Sequence, residues 1–244
     1  MSNDAAWLGL DGHEDLWSEL DSRGYVVTTD RLLGLPEKFR QNFSETYFTE
    51  QTLRHDEGDW PVDRMRARDV ISYEWDDGLL SLQQHDVITI TDRAGIPGKR
   101  EHARVELLND PAAEELVRAF LELVPPERRR PKGTFGVNLF RTFTNVVTKP
   151  HHDNEEFIIL YVLDRVGDGA ETYLYHPEDV TGEGHITADP VLWQQLNPGD
   201  IIIFEDKRFK HGATPLVNPD GGQAQRDALV CTVDYPSTYL ETVS

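Results

Sequence analysis

Cysteine, positive charge and long apolar stretches are all scarce in this sequence. Cys231 is the one cysteine among 244 residues, so no internal disulfide can form. Its place in the apolar run Ala228-Leu229-Val230-Cys231 fits a buried strand position better than a nucleophile, and the cysteine count suits a reducing compartment. Lysine and arginine number 24 against 44 aspartates and glutamates. The formal net charge of −20 repels a phosphate backbone over most of the surface and argues against nucleic acid as a partner. So many carboxylates read first as a solvated surface. No apolar run approaches the length that crosses a membrane, and the start Met1-Ser2-Asn3-Asp4 lacks the basic and apolar stretches of a secretory signal. The expected location is cytoplasmic. Internal repeats and low-complexity tracts are also missing.

What is present suffices for a core, since 38% of the residues are hydrophobic. We expect one domain over 1–244, with 1–132 giving helical support and additional strands and 133–244 giving most of a β core. Leu16, Trp17 and Leu20 share a face of a helix over His13 to Ser22, which ends near Gly24 and feeds a strand over Tyr25 to Thr29. A second helix is expected over Glu37 to Tyr47. A third runs from Pro111 to Val124, with Asp110 as N-cap and Pro125-Pro126 as its stop. The basic stretch Glu127 to Lys132 reads as an exposed connector.

From Gly133 onward, β-branched and aromatic runs over 135–147, 157–163, 171–175, 201–204 and 228–233 alternate with Gly, Pro, Asn and Asp turns. Asp189 to Leu196 has the length of a short helix and the alternative of an extended connection. The runs at 157–163 and 201–204 are apolar on both faces, as in a two-sheet sandwich covered by helices on one side. The expected fold is a mainly β jelly roll with flanking helices.

The strongest chemical feature is Lys149-Pro150-His151-His152-Asp153-Asn154. Strand residues two apart share a side, so His151 and Asp153 can face one point. A nitrogen and a hard oxygen donor suit iron(II), manganese or zinc better than calcium. H-x-D alone is common by chance, so a third ligand decides the matter. His211 follows an apolar strand and an Asn-Pro-Gly-Asp turn, with enough chain between it and Asp153 for several strands. Two histidines and one carboxylate leave coordination positions open, whereas a structural zinc site is normally closed by a fourth protein ligand. Arg226 comes soon after His211, and its planar fork suits a carboxylate.

This combination resembles the iron(II) and 2-oxoglutarate-dependent dioxygenases of double-stranded β-helix (jelly roll, cupin-like) fold. The runs 151–157, 165–172, 198–200, 211–215 and 226–227 are similar to the bacterial subgroup that contains the L-isoleucine dioxygenase, whose members hydroxylate free amino acids. The resemblance implies iron(II) on His151, Asp153 and His211, 2-oxoglutarate with its distal carboxylate on Arg226, dioxygen as cosubstrate, and release of succinate and carbon dioxide. A small-molecule partner, an amino acid, is implied, with no nucleic acid or membrane. The chain departs from the pattern at Asn154 and Asp168, where glycine is expected, and at Ala228, where Ser or Thr is expected. Thr214 or Thr232 then becomes the candidate second anchor for the cosubstrate. Because related halogenases carry a small residue at the position of Asp153, the resemblance favours hydroxylation. Oxidation of a protein or carrier-bound residue, and a non-catalytic metal or ligand module, are the competing readings.

Arg141 interrupts an apolar strand, where it is equally a clamp for a substrate or cosubstrate carboxylate or half of a structural ion pair. Glu155 and Glu156 are the candidates for a substrate ammonium group, and the family resemblance favours Glu156. His152 should point away from the ligands, and the remaining six histidines lack ligand spacing. The acidic, turn-rich segment His55 to Asp63 reads as a loop, ordinary or lid-forming.

Overall fold

In the computed structural model, residues 12–55, 64–85, 90–91, 99–100, 104–144 and 149–234 are described. The helices are α1 (His13–Arg23), α2 (Phe39–Tyr47) and α3 (Pro111–Glu122). The longer strands are β1 (Tyr25–Thr29), β2 (Arg64–Asp76), β3 (Leu79–Gln84), β6 (Lys132–Thr142), β7 (Phe157–Val166), β11 (Asp200–Glu205) and β14 (Gln225–Val233). The shorter ones are β4 (Ile90–Thr91), β5 (Lys99–Arg100), β8 (Asp168–Gly169), β9 (Thr172–Tyr175), β10 (Leu192–Gln194), β12 (Lys210–Ala213) and β13 (Leu216–Val217).

The helices begin and end where local chemistry dictates. Asp110 caps α3 by accepting the N–H of Ala112 at 2.9 Å, with Pro111 at the first helical position. Gly24 ends α1 at φ +78° and returns its N–H to the Leu20 carbonyl at 2.8 Å. Leu16 and Leu20, then Phe39, Phe43 and Tyr47, then Ala113, Leu116, Val117 and Phe120 form the buried stripes of the three helices. The expected α2 starts two residues late, because Pro36 precedes a turn closed by Phe39 N–H on the Pro36 carbonyl.

A seven-stranded antiparallel sheet runs in the order β1-β11-β7-β14-β6-β2-β3. Facing it is a small sheet, β10-β9-β12, extended by an isolated bridge between His211 of β12 and His151. β6, the His151 segment, β7, β9, β10, β11, β12 and β14 are the eight strands of a double-stranded β-helix. β1 widens the large sheet at one edge, and β2 and β3 widen it at the other. Asp189 to Leu196 takes the extended option, with β10 at its centre. The strand expected through Val147 ends at Thr142.

Alternation divides the large sheet cleanly. Ile159, Tyr161, Ile201, Ile203, Leu139 and Leu229 pack with the helices in one cluster. Ile158, Leu160, Val162, Ile202, Phe204 and Ala228 pack with Leu174 of β9 and Phe209 in a second cluster between the sheets. A residue's parity therefore decides whether it meets helices or the jelly-roll interior.

Asp69 is buried on the helix side, where it accepts the N–H groups of Val70 and Leu107 at 2.9 Å. Burial raises its pKa to about 6 despite those donors. A raised carboxyl contributes stability that is fully present below its ordinary pKa and lost as pH rises through about 6. Self-repulsion at net charge −20 acts in the same direction. The thermal midpoint should thus rise between about pH 7.5 and about pH 5.5, and Asp69→Asn should flatten that rise. Equal slopes in the two proteins would contradict this assignment.

Candidate metal centre

β11 leaves the large sheet at Glu205, turns through Asp206 to Arg208, and re-enters the small sheet as β12, which carries His211. Phe209, fully buried between the sheets, pins this turn. His151 sits directly beside His211, with paired backbone bonds of 3.1 and 2.9 Å and ring centroids 4.3 Å apart. Asp153 reaches both rings. Its Oδ1 lies 3.5 Å from His151 Nε2 and its Oδ2 lies 3.6 Å from His211 Nε2. The three candidate ligand atoms lie within 4.8 Å of one another, the one such cluster among the described residues. Side-chain exposures of 29%, 15% and 13% for His151, Asp153 and His211 leave the group reachable from one side. With two nitrogen donors, one oxygen donor and no thiolate, this set fits iron(II) with positions open for small ligands.

Asn154, where glycine was expected, has φ +66°, a left-handed conformation that asparagine tolerates better than most residues. The requirement for that backbone shape therefore persists although the residue type differs. Gly169 shows the other reason for glycine: a Cβ there would lie 2.1 Å from the Pro215 carbonyl oxygen.

The buried carboxylate of Asp206 escaped the sequence reading. It accepts the N–H of Asp153 at 3.2 Å and of Glu155 at 2.9 Å. Its Oδ1 also lies 3.3 Å from His211 Nδ1, within ion-pair reach although off the hydrogen-bonding angle. Burial pulls the His211 pKa down, but Asp153 and Asp206 together outweigh it and hold the imidazole at about 9. His152, expected to be structural, places Nδ1 2.6 Å from the Asp206 backbone carbonyl. An acid after an apolar strand was the available signal for Asp206, but neighbouring Glu205 carried the same signal.

The remaining candidates fall in different places. Arg226 is buried on the interior face of β14, with Nη1 donating to the Ala170 carbonyl at 3.2 Å and Nε without a partner. Burial, reinforced by the nearby Arg165 charge, lowers its pKa to about 10. Thr232 shares that face, but lies roughly 20 Å along the strand from Arg226. Thr214 binds Glu171, donating to its carboxylate at 2.9 Å and accepting its N–H at 3.0 Å. Arg141 forms a two-bond ion pair with Asp227, at 2.8 and 2.6 Å, on the helix-covered face beside Phe48. Glu156 binds Arg130 at 2.7 Å and also Lys207. The structure thus gathers His151, Asp153 and His211, and does not bring Arg141 or Glu156 to them. Strand parity turns Arg141 away, and the surface cations hold Glu156 outside. The suggested lid falls largely on residues 56–63, outside the described residues.

Residues 58–232 match the family described as 2OG-Fe dioxygenase. The chain belongs to that family. Its cofactors follow: iron(II), 2-oxoglutarate and dioxygen. No curated protein matches the sequence. Among solved structures, a bsmA homolog from Methylobium petroleophilum is similar with a TM-score of 0.75 and 18% identity, covering 92% of this chain and 94% of that one. IDO from Bacillus thuringiensis is similar at 0.66 and 17%, covering 92% and 99%. The Fe(II)/alpha-ketoglutarate-dependent dioxygenase TqaL gives 0.68 and 14%, covering 94% and 90%. These three share the fold of this dioxygenase.

Protonated His211 must lose its proton to bind metal, so apparent metal affinity of the dioxygenase should rise as pH climbs from neutrality towards about 9. Asp206→Asn should weaken manganese(II) or iron(II) binding roughly 10- to 100-fold, because it removes one of two acceptor oxygens behind the ligands. Calorimetric metal titration checks both. Unaltered affinity in Asp206→Asn would show that the carboxylate only closes the turn.

Proposed function

We propose that this dioxygenase hydroxylates an unactivated C–H bond of a free L-amino acid or close derivative, converting 2-oxoglutarate and dioxygen to succinate, carbon dioxide and the hydroxylated product. The observation that carries the reading is the pairing of an open His151, Asp153, His211 face with a buried, incompletely bonded Arg226 on the same jelly-roll interior. The resemblance of the motif runs to free amino-acid hydroxylases supports the substrate class, and residues 1–244 are taken as one oxygenase unit.

His151, Asp153 and His211 would hold iron(II), which would supply dioxygen activation coupled to decarboxylation of 2-oxoglutarate. Asp153 fills the third protein position with a carboxylate, which supports hydroxylation over halogenation. Arg226 would neutralise the distal carboxylate of 2-oxoglutarate and fix the direction from which its keto acid end reaches the metal. Thr172, on β9 and two residues from the Ala170 carbonyl that Arg226 binds, has a buried hydroxyl without a partner. It suits the second anchor better than Thr214, which is committed to Glu171. Val162, Leu174 and Ala228 exclude water around this end of the site.

Succinate release with iron(II), 2-oxoglutarate and a panel of L-amino acids tests the reading. Asp153→Ala should abolish substrate-dependent release, and survival of that activity would sink the proposal. Arg226→Met should raise the 2-oxoglutarate KM about 100-fold or more, the scale for removing one partner of a buried charge pair. Without 2-oxoglutarate the same substitution should leave thermal stability unchanged or higher, since none of the described carboxylates loses a partner.

A further inference from the structure

Two arginines meet at one end of the jelly-roll interior. β14 and β7 pair Arg226 with Arg165, just beyond a register shift at Asp227 and Ala228. That shift decides which side chain stands beside Arg226. Val162 packs between the sheets and Leu163 packs with the helices, so an unbroken strand would return Asp164 to the interior and send Arg165 to the helix side. One extra residue on β7 reverses the parity. Asp164 falls opposite Asp227, within electrostatic reach of Arg141 and Asp227 on the helix-covered face. Arg165 instead reaches inward, where Nη1 donates at 3.3 Å to the carbonyl of Leu196, a residue of the interior cluster. The bulge therefore sets a second cation beside Arg226, where an unbroken strand would set a carboxylate.

Both guanidiniums are held by the connection from β7 to β9. Arg165 donates through Nε to the Gly167 carbonyl at 2.9 Å and through Nη2 to the Gly169 carbonyl at 2.7 Å. Arg226 donates through Nη1 to the next carbonyl, that of Ala170, at 3.2 Å. Gly169 and Ala170 have φ of +84° and +48°, and the alanine carries the strain of a conformation that favours glycine. These two left-handed residues present adjacent carbonyls to the two arginines. Carbonyls satisfy hydrogen bonds without neutralising charge. The charge that bears on Arg226 is that of Arg165, and Asp168 and Glu171 bear on Arg165 from beyond ion-pair distance. Like charges so close disfavour each other until an anion joins them.

We propose that Arg165 is a second cationic determinant of the cosubstrate site: its charge, added to that of Arg226, selects 2-oxoglutarate over keto acids that lack a distal carboxylate. The inference deepens the oxygenase reading, rests on its assignment of Arg226 to that carboxylate, and holds for any primary substrate. Arg165 acts through its field, since three of its five N–H groups are committed to carbonyls. In a partly desolvated pocket that field is screened little by salt. Asp168, exposed and standing where glycine was expected, tempers it. Arg165 is thus a specificity-determining residue, and Asp168 sets its strength.

Calorimetric titration of the full chain, loaded with manganese(II) so that binding is read without turnover, tests this. The probes are 2-oxoglutarate and 2-oxopentanoate, which share the keto acid end and differ in the distal carboxylate. The ratio of their affinities is the readout. Arg165→Gln should lower the preference for 2-oxoglutarate about tenfold and leave 2-oxopentanoate affinity unchanged. Arg165→Lys, which keeps the charge and loses the fork, should retain most of the preference. Equal weakening of both probes in Arg165→Gln, as a merely structural residue would give, overturns the proposal. So does an unchanged preference there, or as large a drop in Arg165→Lys. Asp168→Asn alters an exposed side chain, so it decides the matter if Arg165→Gln fails to fold. It should raise the preference about two- to threefold, and an unchanged or lower preference overturns the proposal. Arg226→Met separates the two readings. Preference lost in Arg226→Met but kept in Arg165→Gln upholds the assignment of Arg226 and overturns the role of Arg165. Preference lost in Arg165→Gln but kept in Arg226→Met upholds Arg165 and counts against Arg226 as the carboxylate partner.

Discussion

The carboxylate of Asp206 has no exposed surface and stands at the corner where the chain passes from the large sheet to the small one. Removing a carboxylate from water costs several kcal/mol unless donors replace the water. Here the donors are the N–H groups of Asp153 and Glu155, with the His211 imidazole alongside. These are the two segments that carry the three candidate ligands. The electrostatic demand of one buried acid thus fixes the spacing between ligands drawn from separate strands. Asn154 at φ +66° turns the backbone so that both amides face Asp206, and buried Phe209 prevents the corner from opening. The spacing of the candidate ligands is consequently held by the protein's own hydrogen bonds, and the carboxylates of Asp153 and Asp206 favour the charged form of His211 against the cost of its burial.

A second constraint is the separation of charge between outside and inside. The chain carries a net charge of −20, yet Arg64, Arg66, Arg68 and Arg226 are buried, and half-buried Arg165 lies beside Arg226. The cosubstrate 2-oxoglutarate is an anion, and the surface repels it at long range. That repulsion is screened within about 8 Å at physiological salt, whereas attraction inside a partly desolvated site is not. The cost of the arrangement is visible at Arg226, whose pKa is pulled down by burial and by Arg165. Burial pulls Arg165 down as well, although it donates to the carbonyls of Gly167, Leu196 and Gly169.

Much of the fold and the clustering of the candidate ligands was legible because the relevant residues obey simple rules. Apolar runs marked β7 and β11, proline and an aspartate cap marked α3, and the unlike donors His151, Asp153 and His211 stood out by type and order. What escaped was decided by parity and pairing. Arg141 looked like a clamp within an apolar strand, but which face of that strand meets the helices follows only from its pairing with β14 and β2. Glu156 and Glu155 were likewise inseparable until the turn at Asn154 set their directions. β2 was hidden because its interior-facing residues are arginines. A strand whose covered face is cationic reverses the usual alternation of apolar inside and polar outside, and Arg64-Met65-Arg66-Ala67-Arg68-Asp69 reads as a polar loop. Thr172 escaped because a single hydroxyl on a short strand carries no pattern.

This uneven legibility has a structural cause. The parts common to the oxygenase chemistry lie on strands of the eight-stranded core, where His211 on β12 and Arg226 on β14 are separated only by β13 and the turn that follows it. A motif survives in sequence because the geometry between its members is carried by the chain itself. Arg64, Arg66 and Arg68 belong to β2, which lies outside those eight strands and is related to the metal ligands only through its register with β6. Sliding β2 by one residue along β6 would turn all three arginines into the helix-side core and expose Met65 and Ala67 to the interior. The apolar residues of β2, not its arginines, therefore fix the register: Ala67, Ile71 and Tyr73 fill the helix-side core and thereby force the alternate positions to face the metal side.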